Sequence, residues 1–276
     1  IMQADKWILV TGASTGIGRA AVDSLAAGGF NVYACARKTR DLDELAGIDN
    51  VVPIELDVTD TDQINSALKF VQQKKSGLFG VLNNAGIAEA GPLMDLDVKI
   101  LRQQFEVNFF GVHEVTRAFF PLLLESKGRI VMMSSDSGFF ATPFAGPYCA
   151  SKFALEGYSD SLRRELIDFG VEVVLIQPGR VKTPIWDKGV KFLSQFPGSI
   201  FEKTAVTLGK HAFEKGKTSG LEAGELGKVV QHVFQTKRPK TRYLVSPNNF
   251  KYYMVKILSD RRVDRMVQSE IASLMK

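Results

Sequence analysis

The sequence predicts an α/β fold: a doubly wound parallel sheet of about seven strands with helices on both faces, in one domain spanning residues 1–276. Two observations carry that prediction. Short apolar runs alternate with stretches of helical spacing, and no linker or internal repeat interrupts them. The first apolar run also feeds a glycine-rich turn that opens a helical stretch, the arrangement that aims backbone N–H groups and a helix N-terminus at a phosphate. Composition bounds the class: 45% hydrophobic and 24% charged over 276 residues suits a chain with a large ordinary core.

The first strand is Trp7 to Val10, followed by Thr11-Gly12-Ala13-Ser14-Thr15-Gly16-Ile17-Gly18 and an apolar periodic segment from Ile17 to Leu25. The glycines depart from G-x-G-x-x-G spacing, and no Lys-Ser/Thr follows them, which argues against a nucleotide-hydrolysing P-loop. Taken alone, the turn also suits an ordinary strand-to-helix connection. The second strand, Phe30 to Ala36, ends in Arg37 and Lys38, with no acidic residue until Asp41. A carboxylate at this strand end takes ribose hydroxyls and repels a 2′-phosphate, whereas a guanidinium grips that phosphate bidentately. The expected preference is therefore NADP(H) over NAD(H), against the alternative that Arg37 is a solvated surface charge.

Val51 to Leu56 reads as the third strand, ending at Asp57, and Asp60 to Gln73 as a helix. The fourth strand, Leu78 to Leu82, runs into Asn83-Asn84-Ala85-Gly86, where Asn can bond neighbouring strands or a cofactor and Gly86 admits close backbone approach. A long helical stretch from Asp97 to Leu124 carries Asn108 in its middle. Asn is disfavoured there, so it marks either a surface position or a local break with a purpose.

The fifth strand, Gly128 to Met133, ends at Ser134-Ser135, and open α/β sheets bind ligands beyond the carboxyl ends of their strands. Tyr148 opens the next helix and stands four residues before Lys152, on the same face. An ammonium close to a phenol favours the phenolate and lowers the Tyr pKa from about 10, making Tyr148 a proton donor or acceptor. Taken alone, the pair is also what many solvated helices show. Val171 to Gln177 is the sixth strand, followed by Pro178-Gly179-Arg180-Val181-Lys182-Thr183. Glu225 to Gln235 reads as a helix and Thr241 to Val245 as the seventh strand.

At this point the chain closely resembles the short-chain dehydrogenase/reductase family, in its single-domain, tyrosine-dependent branch. The matching residues are TGASTGIG at 11–18, Asp57-Val58, NNAG at 83–86, Asn108, Ser135, YCASK at 148–152 and PGRVKT at 178–183. The resemblance implies a Rossmann-type sheet and an NADP(H)-dependent enzyme interconverting a carbonyl and an alcohol by direct hydride transfer, with no metal. It implies a tetrad of Asn108, Ser135, Tyr148 and Lys152. Ser135 holds the substrate oxygen, Tyr148 moves its proton, Lys152 binds the nicotinamide ribose and, with the positive charge of the nicotinamide, lowers the Tyr148 pKa, and Asn108 holds a relay water. The cofactor is expected across Gly12, Ser14, Thr15, Gly16, Ile17, Gly18, Arg37, Lys38, Asp57, Val58, Asn84, Ala85, Gly86, Tyr148, Lys152, Pro178, Gly179, Val181 and Thr183. A cofactor-binding sensor or scaffold without turnover is the alternative, and the intact tetrad argues against it.

Residues 184–220 fall where this family places its substrate lid. Trp186 and Phe192 in it, with Phe139 and Phe144 before Tyr148, are expected to line an apolar pocket for a bulky lipophilic substrate, steroid-, retinoid- or long-chain-like. Packing of the lid on the core or on a subunit is the competing reading. Residues 249–276 carry a helical apolar stripe with interleaved basic residues, an amphipathic tail that can lie on an anionic membrane surface, on the body or on another subunit. From Lys237 onward ten Lys and Arg face three Asp and Glu, leaving 25 against 27 elsewhere within a net charge of +5. Basicity belongs to the tail, which argues against a nucleic-acid surface. Two cysteines without a disulfide framework and no spanning apolar run point to a cytoplasmic setting, and the resemblance implies a homodimer or homotetramer.

Overall fold

The computed structural model describes residues 6–185, 196–247 and 249–275. Seven parallel strands form one sheet: β1 (Trp7–Val10), β2 (Asn31–Ala36), β3 (Val51–Glu55), β4 (Gly80–Asn83), β5 (Arg129–Met133), β6 (Glu172–Pro178) and β7 (Arg242–Val245). Their order is β3-β2-β1-β4-β5-β6-β7. The chain starts at β1, builds outward to β3, then returns to β4 on the other side. The switch point between β1 and β4 opens a crevice at the carboxyl ends of the strands.

The strands alternate because both faces are covered. Ile8 and Val10, Val32 and Ala34, Val131 and Met133 point into one apolar cluster, shared with α1 (Gly16–Ala27), α2 (Thr39–Ala46) and a helix near the C-terminus, α8 (Ala223–Gln235). Leu9, Tyr33, Ile130 and Met132 point into the other, shared with α3 (Thr61–Lys74), α5 (Gly111–Ser126) and α6 (Gly146–Glu165). At about 25 cal/mol per Å² of apolar surface removed from water, each such Leu or Ile contributes roughly 1.5–3 kcal/mol. Helix α8 sits very close to α1: a Cβ on Gly227 would fall 2.3 Å from the Ala20 carbonyl oxygen. Its start is set by a reciprocal capping box between Glu222 and Glu225.

The long helical stretch around Asn108 is not uniform. It runs as α4 (Val98–Phe105), a π-helical turn at Glu106–Phe110, and α5. The π turn holds Asn108 and supplies the break that an interior Asn suggests. Helix α6 begins two residues before Tyr148, at Gly146, because Pro147 suits the first turn of a helix. Past β6 come α7 (Glu202–Thr218) and α8, then α9 (Asn249–Ile257) and α10 (Asp260–Leu274) after β7. No helix among the described residues is long and apolar enough to cross a membrane.

Candidate active site

The turn after β1 is locked from two sides. Gly12 has φ +65°, and a Cβ there would lie 2.8 Å from the Ala85 Cα, so only glycine fits. The Thr11 hydroxyl accepts the backbone N–H groups of Asn84 and Ala85 at 3.0 Å each, and Asn84 Nδ2 donates to the Thr11 and Gly12 carbonyls at 3.0 and 3.1 Å. A Cβ on Gly18 would strike the Gly12 oxygen at 2.1 Å, so the first turn of α1 packs directly on the loop that precedes it. Ser14 and Thr15 complete that loop, and no side chain caps the helix that Gly16 and Ile17 begin. Its leading N–H groups are thus available to an anion in a glycine cradle that side chains would fill, and these residues fit a dinucleotide pyrophosphate. The Thr183 methyl stands beside Gly16, in the loop after β6. That loop is pinned by Gly179 N–H to Val245, Leu221 N–H to Arg180 and a Val181–Leu221 bridge, with buried Pro178 ending the strand before it.

Arg37 extends from the end of β2, with 63% of its side chain exposed, and its Nη1 lies 3.3 Å from Asp57 Oδ2. Burial pushes the Asp57 carboxyl up, but hydrogen bonds from Thr59 and Arg37 overcome it and hold the group below its usual range. Lys38 is exposed at the N-cap of α2, and buried Val58 packs on Gly111. Arg37 is therefore a tethered cation at the rim of the crevice.

The four candidate catalytic residues converge at the carboxyl end of β5. Ser135 follows that strand and caps the short turn Asp136–Gly138 by accepting the Ser137 N–H at 3.1 Å. Tyr148, in the first turn of α6, has its hydroxyl beside Ser135 and Asp136, both of which act on its titration. Lys152, almost fully buried, donates from Nζ to the Met133 carbonyl at 2.7 Å, with Nζ 5.7 Å from the Tyr148 ring centre. Asn108 is fully buried: its Oδ1 accepts the Ile87 N–H at 2.9 Å, and its Nδ2 donates to the Ile87 carbonyl and to Ser151 Oγ. It stands 3.4 Å from where a Gly86 Cβ would be, and so joins the loop after β4 to α6.

One expectation is corrected. The i,i+4 ammonium by itself does not lower the Tyr148 pKa: it is raised, with desolvation of its hydroxyl dominating, the Ser135 hydroxyl opposing it and the Asp136 charge adding to it. The Lys152 ammonium turns to a carbonyl rather than to the phenol. Burial in turn lowers the Lys152 pKa to about 8, against the pull of Glu156 one turn further along α6. The pair is thus a half-buried acid that holds its proton and a buried cation close to losing its own.

Sequence reasoning missed the support behind this pair. Glu156 accepts from Ser134 Oγ at 2.6 Å, Gln177 Nε2 at 2.9 Å and Arg242 Nε at 3.0 Å, tying α6 to β5, β6 and β7. In the sequence it is only a glutamate four residues after a lysine, the pattern of a solvated helix face.

On the substrate side, the Phe144 ring packs on Phe201 with centroids 6.2 Å apart, and its carbonyl accepts the Gly91 N–H at 2.7 Å. Phe144 adopts φ +65°, a conformation costing about 1 kcal/mol or more, which the surrounding contacts over-determine. The Phe196 ring stands against Gly91. Phe139 does not join this wall: it meets Tyr252 of α9 edge-on, under the Lys256 ammonium at 3.9 Å. That face of the tail packs on the body, while Tyr253, Met254 and Ile257 are exposed. Trp186 and Phe192 lie outside the described residues. Two shallow depressions against Glu106 and Phe110 contain none of the four converging residues.

The short chain dehydrogenase family model matches residues 6–192, a span that contains β1 to β6. The chain belongs to the short-chain dehydrogenase family. It is accordingly an NAD(P)-dependent oxidoreductase with a Rossmann-like fold. Among relatives of this short-chain dehydrogenase, an NADPH-dependent 3-dehydrocapnine reductase of Ornithobacterium rhinotracheale is 34% identical, covering 98% of each chain. Human retinol dehydrogenase 16 is 32% identical over 87% of this chain and 80% of its own. A short-chain dehydrogenase of Streptomyces avermitilis superposes with a TM-score of 0.80 at 26% identity, over 99% and 98% of the two chains.

Proposed function

We propose that this short-chain dehydrogenase is an NADP(H)-dependent enzyme interconverting a carbonyl and an alcohol on a bulky lipophilic substrate, with Tyr148 as its acid and base. One arrangement carries the reading: Tyr148 in the first turn of α6 stands beside Ser135 past the carboxyl end of β5, with the Lys152 ammonium buried and bonded to the Met133 carbonyl one helical turn on. The nicotinamide cofactor supplies or accepts the hydride when bound. Ser135 and Tyr148 present two hydroxyls to the substrate oxygen and hold it in place. Tyr148, its pKa raised by burial, keeps its proton at neutral pH and begins as the acid for reduction. Lys152 stays largely charged below about pH 8 and stabilises the phenolate that proton donation leaves. Asn108 fixes α6 against the loop after β4, and so sets the height of Tyr148 over the crevice.

For the cofactor, Arg37 at the rim offers a guanidinium to a 2′-phosphate, and a relative is named as NADPH-dependent. For the substrate, Phe144, Phe196 and Phe201 form an apolar wall, and a relative is named for retinol. The direct test is NADPH oxidation over a panel of apolar ketones and aldehydes. Tight NADPH binding with no turnover of any carbonyl would instead favour a sensor or scaffold. Arg37→Asp lowers the ratio of kcat/KM for NADPH to that for NADH by about a hundredfold, because it removes the cation and sets a second carboxylate beside Asp57. An unchanged ratio would show that Arg37 does not select the cofactor.

A further inference from the structure

Asp136 directly follows Ser135 and is half-buried. Its polar neighbours are hydroxyls. Ser135 Oγ donates to Asp136 Oδ1 at 2.9 Å, Ser137 Oγ lies 3.4 Å from the same oxygen, and the Tyr252 hydroxyl, carried in by α9, faces the carboxylate, its pKa raised by burial and by that charge. Among the described residues no Lys or Arg forms an ion pair with it; Arg180 acts on Tyr252 but makes no such pair with Asp136. By contrast, the other acidic groups near this end of the sheet are matched: Asp57 by Arg37, and Glu156 and Asp160 by Arg242. A carboxylate withdrawn from water without a cation is costly, and hydroxyls offset that cost only in part.

Its position also works against the chemistry on a neutral ketone. Ser135 has one hydroxyl proton, directed here at Asp136, so it must leave that carboxylate before it can reach the substrate oxygen. The negative charge also opposes a phenolate at Tyr148. A positive charge brought by the substrate would relieve both conflicts.

We propose that Asp136 determines specificity by receiving a protonated amine borne on the carbon next to the substrate carbonyl. This rests on the carbonyl–alcohol reading above and adds a charge to the lipophilic substrate it names. An α-amino ketone carries its nitrogen and carbonyl oxygen about 3 Å apart, matching the 2.9 Å between Asp136 Oδ1 and Ser135 Oγ. With the ammonium on Oδ1, the Ser135 proton turns to the carbonyl oxygen, and the local charge at Tyr148 is neutralised. The Tyr252 hydroxyl steadies the carboxylate from the other side, so the first tail helix is a positioning element of the site. The alkyl remainder lies along Phe144 and Phe201.

The test compares kcat/KM, with NADPH, for a medium-chain alkyl α-amino ketone and for the same ketone without the amine, in wild type, Asp136→Asn and Tyr252→Phe. A second readout is the thermal stabilisation of the NADP-loaded protein by the matching amino alcohol and by the plain alcohol. Wild type should prefer the amine by about tenfold to a hundredfold, the range of a hydrogen bond to a charged group. The preference should collapse towards one in Asp136→Asn and shrink in Tyr252→Phe, and the amino alcohol should stabilise wild type more than Asp136→Asn. Equal use of both ketones by wild type, or an unchanged preference in Asp136→Asn, overturns the role of Asp136 while leaving carbonyl reduction intact. If NADP binds but neither ketone turns over, the carbonyl–alcohol reading fails, and this inference fails with it.

Discussion

Tyr148→Phe lowers kcat by about a thousandfold or more while the Kd for NADPH changes by less than about threefold. The size follows from the role: a positioned general acid contributes roughly 10²–10⁴, and the Phe ring cannot donate a proton to the substrate oxygen. Cofactor affinity survives because Tyr148 is one of many expected contacts and the rest lie elsewhere: the cradle of Gly12 to Gly18, Arg37 on the rim, and the Lys152 ammonium, which donates to Met133 and not to Tyr148. The fold survives because the ring is kept, and the Ser135 hydroxyl still has Asp136 as a partner. Steady-state kcat and a fluorescence titration with NADPH separate the two effects. A variant retaining kcat within tenfold would remove Tyr148 as the acid. Ser135→Ala added to Tyr148→Phe should cost far less than its own single effect, because both hydroxyls address one oxygen.

Much of this site could be read before any coordinates, and the reason is local. Strand ends, glycine turns and i,i+4 pairs are short-range features, so β1 with its turn, the Ser135 strand end and the Tyr148–Lys152 pair follow from neighbouring residues. The conflict between Asn108 and helix propensity was also legible, and the chain resolves it with a π turn. What sequence missed is set by distance along the chain. Glu156 resembles a surface glutamate until Arg242, 86 residues later, arrives on β7. Phe139 resembles a pocket residue until α9 folds back to cover it. The sign of the Tyr148 shift fails for the same reason. Spacing places an ammonium on the same face, but only the fold shows that burial outweighs it and that Nζ has a carbonyl to bond.

Lys152→Met abolishes most turnover and yet makes the protein more stable near neutral pH, by about 1 kcal/mol. The folded-state pKa of Lys152 is lowered from 10.5 to about 8 by burial. Below about pH 8 the folded chain must therefore carry a buried ammonium, a cost of about 3 kcal/mol at 1.36 kcal/mol per pKa unit. Methionine removes that cost and fills a similar volume. It forfeits the bond to the Met133 carbonyl, which returns about 1–2 kcal/mol of the gain. No charge is orphaned, since Glu156 keeps Arg242. The pH dependence gives the sign. Between about pH 8 and pH 10.5 the unfolded chain binds more protons at this residue than the folded one, so wild-type stability rises with pH there. The advantage of the variant should therefore shrink across that window, which denaturant midpoints near pH 7 and near pH 10 would measure. A variant less stable than wild type at both would mean that Lys152 supports the fold. The expected result makes it a charge held in the interior for the reaction, at the expense of stability.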